Sequence, residues 1–219
     1  MRRLRGGHHE PEAALWEAGR ERRAKVIGAE RTATGANRKW LISGNCGIRR
    51  RTFLEFVLME ALYIRDARDD DGDALIELIG SVFAEYPGCV LDVDGELPEL
   101  RAIATAFAEW NGRFWIATLA GQVVGCIGLS VADAECAELR KLYVARHARR
   151  AGLGNRLCDL VEQDAARRRA RFVGLWTDTR FVDAHRLYER RGYVRGPDTR
   201  ELHDLSNSVE YYYRKTLRA

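Results

Sequence analysis

A strand pattern, a short basic loop with two glycines and a helical pattern follow one another between residues 138 and 169. Gly152 and Gly154 stand in the loop, directly before the helical pattern. Because glycine has no Cβ, backbone N–H groups at these positions can converge on an anion at the positive end of the helix dipole. The segment therefore predicts a phosphate-like anion site between a strand and a helix.

The rest of the chain alternates between strand and helix patterns, which favours a mixed α/β fold with helices covering a central sheet. Ala120 and Gly121 separate two strand patterns and indicate a hairpin. The predicted order is β-α-α-β-β-β-α-β-α-β-β. The predicted strands are residues 63–67, 113–119, 122–130, 138–144, 172–177, 193–195 and 209–215, and the predicted helices are 71–83, 98–110, the stretch from the glycine loop to 169, and 183–191.

The first 58 residues differ from the rest of the chain in charge. They hold 13 Lys or Arg against 6 Asp or Glu, whereas the whole chain has a formal net charge of +4. The segment has one weak amphipathic stretch and lacks an apolar core of its own. We expect a basic, disordered or weakly helical extension over residues 1–58 and a folded domain over residues 59–219, with Met59 as an alternative start.

Three hypotheses account for this extension: an arm that binds nucleic acid, a solvated tail, or translated upstream sequence without selected structure. We favour the last two, because aromatic residues that would stack on bases are not interleaved with the cations. No apolar run approaches the roughly 20 residues of a membrane-spanning helix, and the amino terminus has no apolar signal stretch. The sequence predicts a cytoplasmic protein without a membrane segment.

The cysteines and the glycine loop exclude several classes of site. The five cysteines are widely spaced and never form Cys-x-x-Cys, so we expect free thiols rather than disulfides or a metal site. A dinucleotide loop needs a third glycine at Gly-x-Gly-x-x-Gly spacing, which is missing after Gly154. A Walker loop needs Gly-Lys followed by Ser or Thr, and the glycine loop lacks it.

Two separated motifs carry a resemblance to a known family. The first follows a strand end and is Arg149, Arg150, Ala151, Gly152, Leu153 and Gly154, and the second runs from Ala184 through Tyr188 and Gly192 to Tyr193. The first resembles the Arg/Gln-x-x-Gly-x-Gly/Ala loop of the GNAT superfamily of N-acetyltransferases, and the second resembles its Ala-x-x-x-Tyr-x-x-x-Gly-Phe/Tyr segment. Either motif alone is weak evidence, but together they indicate that residues 59–219 resemble this family.

The resemblance implies a mostly antiparallel central sheet of six to seven strands, flanked by about four helices. It also implies acetyl-CoA as the co-substrate, without a metal. The loop would bind the diphosphate, and an open strand edge would pair with the amides of the pantetheine arm. The residues that the resemblance assigns to this co-substrate are Leu142, Tyr143, Val144, Arg149, Arg150, Ala151, Gly152, Leu153, Gly154 and Asn155.

The implied reaction is direct attack of a primary amine on the thioester, in a ternary complex with a small molecule or peptide as acceptor. The resemblance assigns the general acid at the sulfur to Tyr188, for which a structural tyrosine is the alternative. Glu138 is the candidate base, with a solvated strand-edge carboxylate as the alternative, and Asp178 is the second candidate base. A rival hypothesis is a catalytically silent acyl-CoA sensor or interaction module.

The sequence departs from the family pattern on the acceptor side. Many relatives carry an asparagine seven residues before the tyrosine, where this chain has Phe181, and protein-acetylating relatives carry a glutamate at the position of Trp176. These differences argue against acetylation of ribosomal-protein amino termini. An acidic loop that contains Tyr86, and the polar loop at residues 201–208, are expected to line the acceptor side. Exposed sheet edges near the carboxyl terminus could support a homodimer.

Overall fold

The computed structural model describes residues 62–131, 133 and 135–217. The predicted extension over residues 1–58 and the alternative start at Met59 lie outside these ranges. The strands are β1 (Leu62–Asp66), β2 (Arg113–Leu119), β3 (Gln122–Val131), β4 (Cys136–Val144), β5 (Phe172–Asp178), β6 (Val194–Glu201) and β7 (Val209–Thr216). The α-helices are α1 (Gly72–Phe83), α2 (Ile103–Glu109), α3 (Leu153–Arg167) and α4 (Val182–Arg190).

The seven strands of the described part form one sheet, in the order β1-β2-β3-β4-β5-β7-β6. Every neighbouring pair is antiparallel except β4 and β5, which run parallel. A parallel pair needs a crossover rather than a hairpin, and α3 lies within the connection from β4 to β5. This mostly antiparallel mixed sheet with four flanking helices confirms the predicted fold class.

The helices cover both faces of the sheet. Successive side chains along a strand point to opposite faces, so Gly125 and Gly128 of β3 mark the two faces. A Cβ at Gly125 would lie 3.2 Å from Leu153 in α3, whereas a Cβ at Gly128 would clash with Phe107 in α2. α2 and α3 therefore pack on opposite faces of β3, and both contacts are close because neither glycine has a side chain.

A bulge in β4 is the feature of the sheet that opens the site. The register between β3 and β4 shifts between Cys126 and Gly128, and Lys141 of β4 has a positive φ of 54°. Such a bulge bends the strand and increases its twist. β4 and β5 pair only from Cys136 to Glu138 on the β4 side, and no pairing between these two described strands continues beyond Glu138. The two strands therefore separate towards their carboxyl ends.

Two predicted elements differ from the structure. The predicted strand at residues 193–195 is too short, because β6 continues to Glu201. The Gly196-Pro197 pair within β6 suggests a loop by local preference. The register between β6 and β7 shifts between Arg195 and Thr199, and an edge strand accepts proline at such an irregularity. The predicted helix at residues 98–110 is a 3₁₀ turn, Pro98–Ala102, followed by the shorter α2.

Candidate functional site

A cavity of about 580 Å³ lies at the carboxyl end of β4, between the loop before α3 and the side of α4 that runs from Asp183 to Arg190. This volume is within the range of about 300–1,000 Å³ that is typical of small-molecule sites. Most of the residues that the first motif suggested line it. The lining consists of Val82, Tyr86, Leu142, Tyr143, Val144, Arg149, Arg150, Gly152, Leu153, Gly154, Asn155, Phe181, Asp183, Ala184, Arg186, Leu187 and Arg190.

The floor of the cavity is the start of α3. Gly152 precedes the helix with a φ of 84°, and no side chain caps the helix here. The first intrahelical hydrogen bond at this end runs from the Arg156 N–H to the Gly152 carbonyl. The N–H groups of Leu153, Gly154 and Asn155 therefore have no intrahelical acceptor and give the cavity floor a positive potential.

The two loop glycines have different structural roles. Gly152 adopts the left-handed conformation, and a Cβ there would meet nothing within 4 Å. Gly154 is needed for a close approach, because its Cβ would lie 3.2 Å from Leu187 Cδ2 of α4. Gly152 therefore allows the turn into α3, whereas Gly154 allows α4 to pack against the first turn of that helix.

Arg149 is engaged within the protein. Its Nη1 and Nη2 donate to Glu85 at 2.9 and 2.6 Å, and its Nε donates to the Val144 carbonyl at 2.8 Å. The guanidinium group thus joins the end of α1 to the end of β4 at the cavity rim. Sequence reasoning expected both loop arginines to add charge for the diphosphate, but Glu85 neutralises the charge of Arg149. Arg150 is exposed and has a positive φ of 64°.

Asn155 is held from the opposite side by Arg191. Arg191 Nη1 donates to the Asn155 carbonyl at 3.1 Å and to Asn155 Oδ1 at 3.2 Å. The same guanidinium group pairs with Asp159 at 2.5 Å and with Glu162 at 3.0 Å. Arg191 follows α4 and therefore ties the first three turns of α3 to the end of α4. Ala151 is exposed in the loop and is not among the lining residues of the described chain.

An aromatic group closes one side of the cavity. Tyr86 and Phe181 have ring centroids 4.7 Å apart, and Phe83 lies 6.1 Å from Phe181 and 5.8 Å from Tyr143. Burial raises the pKa of the Tyr86 phenol, and Tyr86 is one of the residues that line the cavity. Phe181 therefore gives this side of the cavity an apolar wall.

Tyr188 lies behind the cavity. Its ring is only 4% exposed, it packs near the rings of Tyr193 and Tyr213, and it does not belong to the lining among the described residues. Burial, with smaller contributions from Cys158 and Tyr143, raises the pKa of the Tyr188 phenol well above its ordinary value. The phenol therefore keeps its proton at neutral pH, and its electrostatic neighbour Tyr143 reaches the cavity.

Two carboxylates of the separating strands, Glu138 of β4 and Asp178 of β5, are paired with arginines. Glu138, the last residue of β4 that pairs with β5, lies 3.1 Å from Arg140. Asp178 ends β5 and is held by Arg180 through two of its guanidinium nitrogens, at 2.9 and 2.5 Å. Burial alone would raise the pKa of Asp178, but Arg180 outweighs it and holds that pKa below its ordinary value.

Arg180 also holds the loop before β7, which hydrogen bonds of its own join to the loop after α1. It donates to Ser208 Oγ at 3.0 Å, and the neighbouring Ser206 Oγ accepts a hydrogen bond from the Val90 N–H at 2.8 Å. The Leu205 N–H donates to Glu96 Oε1 at 2.7 Å. The loop after α1 and the loop before β7 are therefore joined into one wall beside Asp178.

Glu210 is a residue of this region that sequence reasoning missed. It stands opposite Asp178 in the register of β5 and β7, and it pairs with Arg200 at 2.6 Å. Burial raises its pKa, and the nearby carboxylates of Asp178 and Glu138 act in the same direction, although Arg200 opposes them. The available signal was a single carboxylate within the aromatic strand pattern at residues 209–215.

The described residues contain no group of three or more His, Cys, Asp or Glu side chains arranged to hold a metal ion. Four cysteines in this part are free thiols, and burial raises the pKa of Cys126 and Cys158 to about 12, so both stay protonated. No helix in the described ranges is both long and apolar enough to cross a membrane.

Comparison with known proteins identifies the family. The model of the acetyltransferase (GNAT) family matches residues 76–193, which is more than half of the chain. The N-acetylaspartate synthetase of Danio rerio is 36% identical over 122 residues, which cover 55% of this chain and 42% of that protein. The chain spans about half the length of the curated relatives it matches.

Solved structures share the fold. An acetyltransferase from Streptococcus agalactiae superposes with a TM-score of 0.63 at 21% identity and covers 72% of this chain and 99% of its own. A Salmonella typhimurium protein solved with its cofactor acetyl-CoA has a TM-score of 0.56 at 16% identity and covers 72% of this chain and 95% of its own. At these identities the likeness concerns the fold.

Proposed function

The chain belongs to the acetyltransferase (GNAT) family, and from this premise we propose that it transfers an acetyl group from acetyl-CoA to a primary amine. The observation that carries the proposal is the cavity that joins the open start of α3 to the separated edge of β4. A diphosphate needs clustered N–H donors, and a pantetheine arm needs an open strand edge, and one cavity offers both.

The proposed arrangement of acetyl-CoA follows the two ends of the cavity. The diphosphate lies at the N–H groups of Leu153, Gly154 and Asn155, and Arg150 adds charge from the loop. The pantetheine amides pair with the β4 backbone at Leu142, Tyr143 and Val144. Arg149 positions the rim by holding Glu85 and the Val144 carbonyl, and it is not the main diphosphate ligand in this proposal.

Tyr188 is the proposed general acid. The match of the second motif supports this role, and the phenol stays protonated at neutral pH as a proton donor must, although its raised pKa makes it a weaker acid. The phenol lies behind the lining, and Tyr143, which makes a small contribution to the raised pKa of Tyr188, lines the cavity. Transfer of its proton to the leaving CoA sulfur completes the acyl transfer after the amine has formed its bond to the acetyl carbon.

Glu138 remains the proposed base for the attacking amine. Its position at the last paired residue of β4 supports this, because the strand gap begins there. Glu210 is a second candidate, supported by its raised pKa and its place opposite Asp178. Asp178 itself is better suited to hold the acceptor-side loops, because Arg180 keeps its carboxylate ionised and engaged.

The acceptor is proposed to be the primary amine of a small molecule or peptide. The relative named N-acetylaspartate synthetase supports including amino acids among the candidates. Phe181 and Trp176 still argue against ribosomal-protein amino termini. The cytoplasmic location, the homodimer and the absence of nucleic-acid binding stay predictions.

The alternative is a protein that binds acyl-CoA without turnover. One observation favours it: among the described residues, the lining of the cavity does not include Tyr188. The two functions differ in one measurement, which is the release of CoA thiol from acetyl-CoA in the presence of amines.

A thiol-release screen tests the proposal. The full chain is mixed with acetyl-CoA and a panel of amino acids, polyamines, aminoglycosides and lysine peptides. Amine-dependent release of thiol, with the acetylated amine detected by mass spectrometry, is the expected result. Binding of acetyl-CoA without thiol release for any amine would favour the sensor. If thiol release is found, the variants Glu138→Gln and Glu210→Gln identify the base.

A further inference from the structure

One wall of the cavity carries positive charge that the proposed diphosphate site does not use. α4 lines the cavity with residues three and four positions apart, which lie along one face of the helix. Arg186 and Arg190 belong to this face, and both are exposed. Neither residue lies in the loop before α3 or in its first turn, where the diphosphate is proposed to bind.

This face of α4 is directly beside the start of α3. Leu187 stands between Arg186 and Arg190 in the sequence, lines the same wall, and contacts the position of Gly154. Because Gly154 provides one of the free N–H groups, a ligand with its diphosphate there extends along the α4 wall. A second anionic group of that ligand would meet the two arginines.

The charge of CoA matches this arrangement. Besides the diphosphate, CoA has a phosphomonoester on the 3′ position of its ribose, and such a group carries about −1.5 to −2 charges at neutral pH. Arginine binds phosphate oxygens through paired N–H donors. We propose that Arg186 and Arg190 form a subsite for the 3′-phosphate of CoA, an inference that rests on the proposed function.

The remaining charges of the cavity support this assignment. Glu85 neutralises Arg149, so the loop contributes mainly Arg150 to the diphosphate. Asp183 lies 3.3 Å from Arg186, but both side chains are more than half exposed, and such pairs contribute little. No ion pair holds Arg190 within the described part of the chain. α4 therefore keeps cationic groups available for a second phosphate.

The test compares CoA with dephospho-CoA, which lacks only the 3′-phosphate. Calorimetry of the full chain measures both dissociation constants for the unmodified protein, for Arg186→Gln/Arg190→Gln, and for the control Arg156→Gln. Arg156 is an exposed arginine of the first turn of α3 that lies outside the cavity lining. Thermal unfolding of each variant verifies that it is folded.

We expect the unmodified protein to bind dephospho-CoA on the order of 10-fold more weakly than CoA, as for the loss of a charge-assisted hydrogen bond. In the double variant this ratio should fall close to one, with the affinity for dephospho-CoA little changed, while the Arg156 control keeps the ratio. An unchanged ratio in the double variant, or an equal loss in the control, would overturn the subsite. Failure of the unmodified protein to bind CoA at all would overturn the proposed function as well.

Discussion

At the scale of single residues, the proposed general acid Tyr188 is compared with Tyr143, a second buried phenol. Both have a pKa raised by burial, but only Tyr143 lines the cavity among the described residues. We predict that Tyr188→Phe lowers kcat by at least about 100-fold, because general acid catalysis typically contributes that much or more. The KM for acetyl-CoA should change little, since the substitution removes one hydroxyl behind the lining.

The matched variant is Tyr143→Phe, which removes a hydroxyl from the cavity side of the same aromatic group. We expect it to keep most of the kcat. Steady-state kinetics with the best amine from the screen measures both variants. If Tyr188→Phe retained full turnover while Tyr143→Phe lost it, the acid would have to be reassigned to Tyr143.

Contacts between residues that are distant in the sequence could not be predicted from its local patterns. The motif predicted that residues 149–155 gather at one site, and nearly all of them line one cavity. It could not predict that Glu85, 64 positions earlier, would take up the charge of Arg149. Nor could it find Glu210, whose significance comes from standing opposite Asp178 across two strands. Such pairs depend on tertiary packing, which local patterns do not contain.

At the scale of elements, the turn into α3 is tested by a glycine substitution with a built-in control. Gly152→Ala should destabilise the protein by about 1–2 kcal/mol, because a Cβ at a left-handed position is strained even where space is free. It should also weaken CoA binding, since the turn sets the direction of the first N–H groups of α3. Chemical denaturation and calorimetry measure the two effects.

Gly121 provides the control for this prediction. It has the same φ of 84° and the same open surroundings, but it lies in the turn between β2 and β3. Gly121→Ala should cost similar stability and leave CoA binding unchanged. Equal losses of binding in both variants would mean that global destabilisation, rather than the turn into α3, explains the effect.

The wall on the acceptor side is predicted to depend on the ion pair of Asp178 and Arg180. Asp178→Asn should lower the free energy of unfolding at neutral pH by about 1.5–3 kcal/mol, the usual contribution of a hydrogen bond to a charged group. The exposed pair of Asp94 and Arg101 is the control, and Asp94→Asn should change stability by at most about 1 kcal/mol.

The ion pair of Asp178 and Arg180 also predicts that the free energy of unfolding depends on pH. The folded-state pKa of Asp178 is lowered, so its contribution is complete above the ordinary pKa of about 4 and is lost as the pH falls through the lowered value. The difference in unfolding free energy between the unmodified protein and Asp178→Asn should therefore shrink on acidification below about pH 4. A difference that grew on acidification would contradict the assigned pair.

Some boundaries of the strands could be predicted from the sequence and others could not. The hairpin was predictable because the pair Ala120 and Gly121, which contains a glycine, separates two strand patterns, and the structure gives both residues the positive φ of a two-residue turn. The length of β6 was not predictable, because Gly196 and Pro197 are loop residues by local preference. They are tolerated in the strand because β6 is an edge strand with an irregular register.

At the scale of the whole molecule, the division into an extension and a domain remains a prediction. The residues that the structure describes, from Leu62 onwards, supply a seven-stranded sheet and the lining of the cavity. We therefore predict that deleting residues 1–58 leaves the melting temperature and the affinity for CoA unchanged. Thermal unfolding and calorimetry of the shortened chain are the measurements, and a loss of either property would show that the domain includes part of the first 58 residues.

The most direct test of the account is the calorimetric titration of the full chain with CoA. If the start of α3 and the open edge of β4 hold the co-substrate, the titration should be saturable with one CoA per chain. Gly152→Ala should weaken the affinity, whereas Gly121→Ala should not. Absence of binding at millimolar CoA by the folded protein would contradict the central claim.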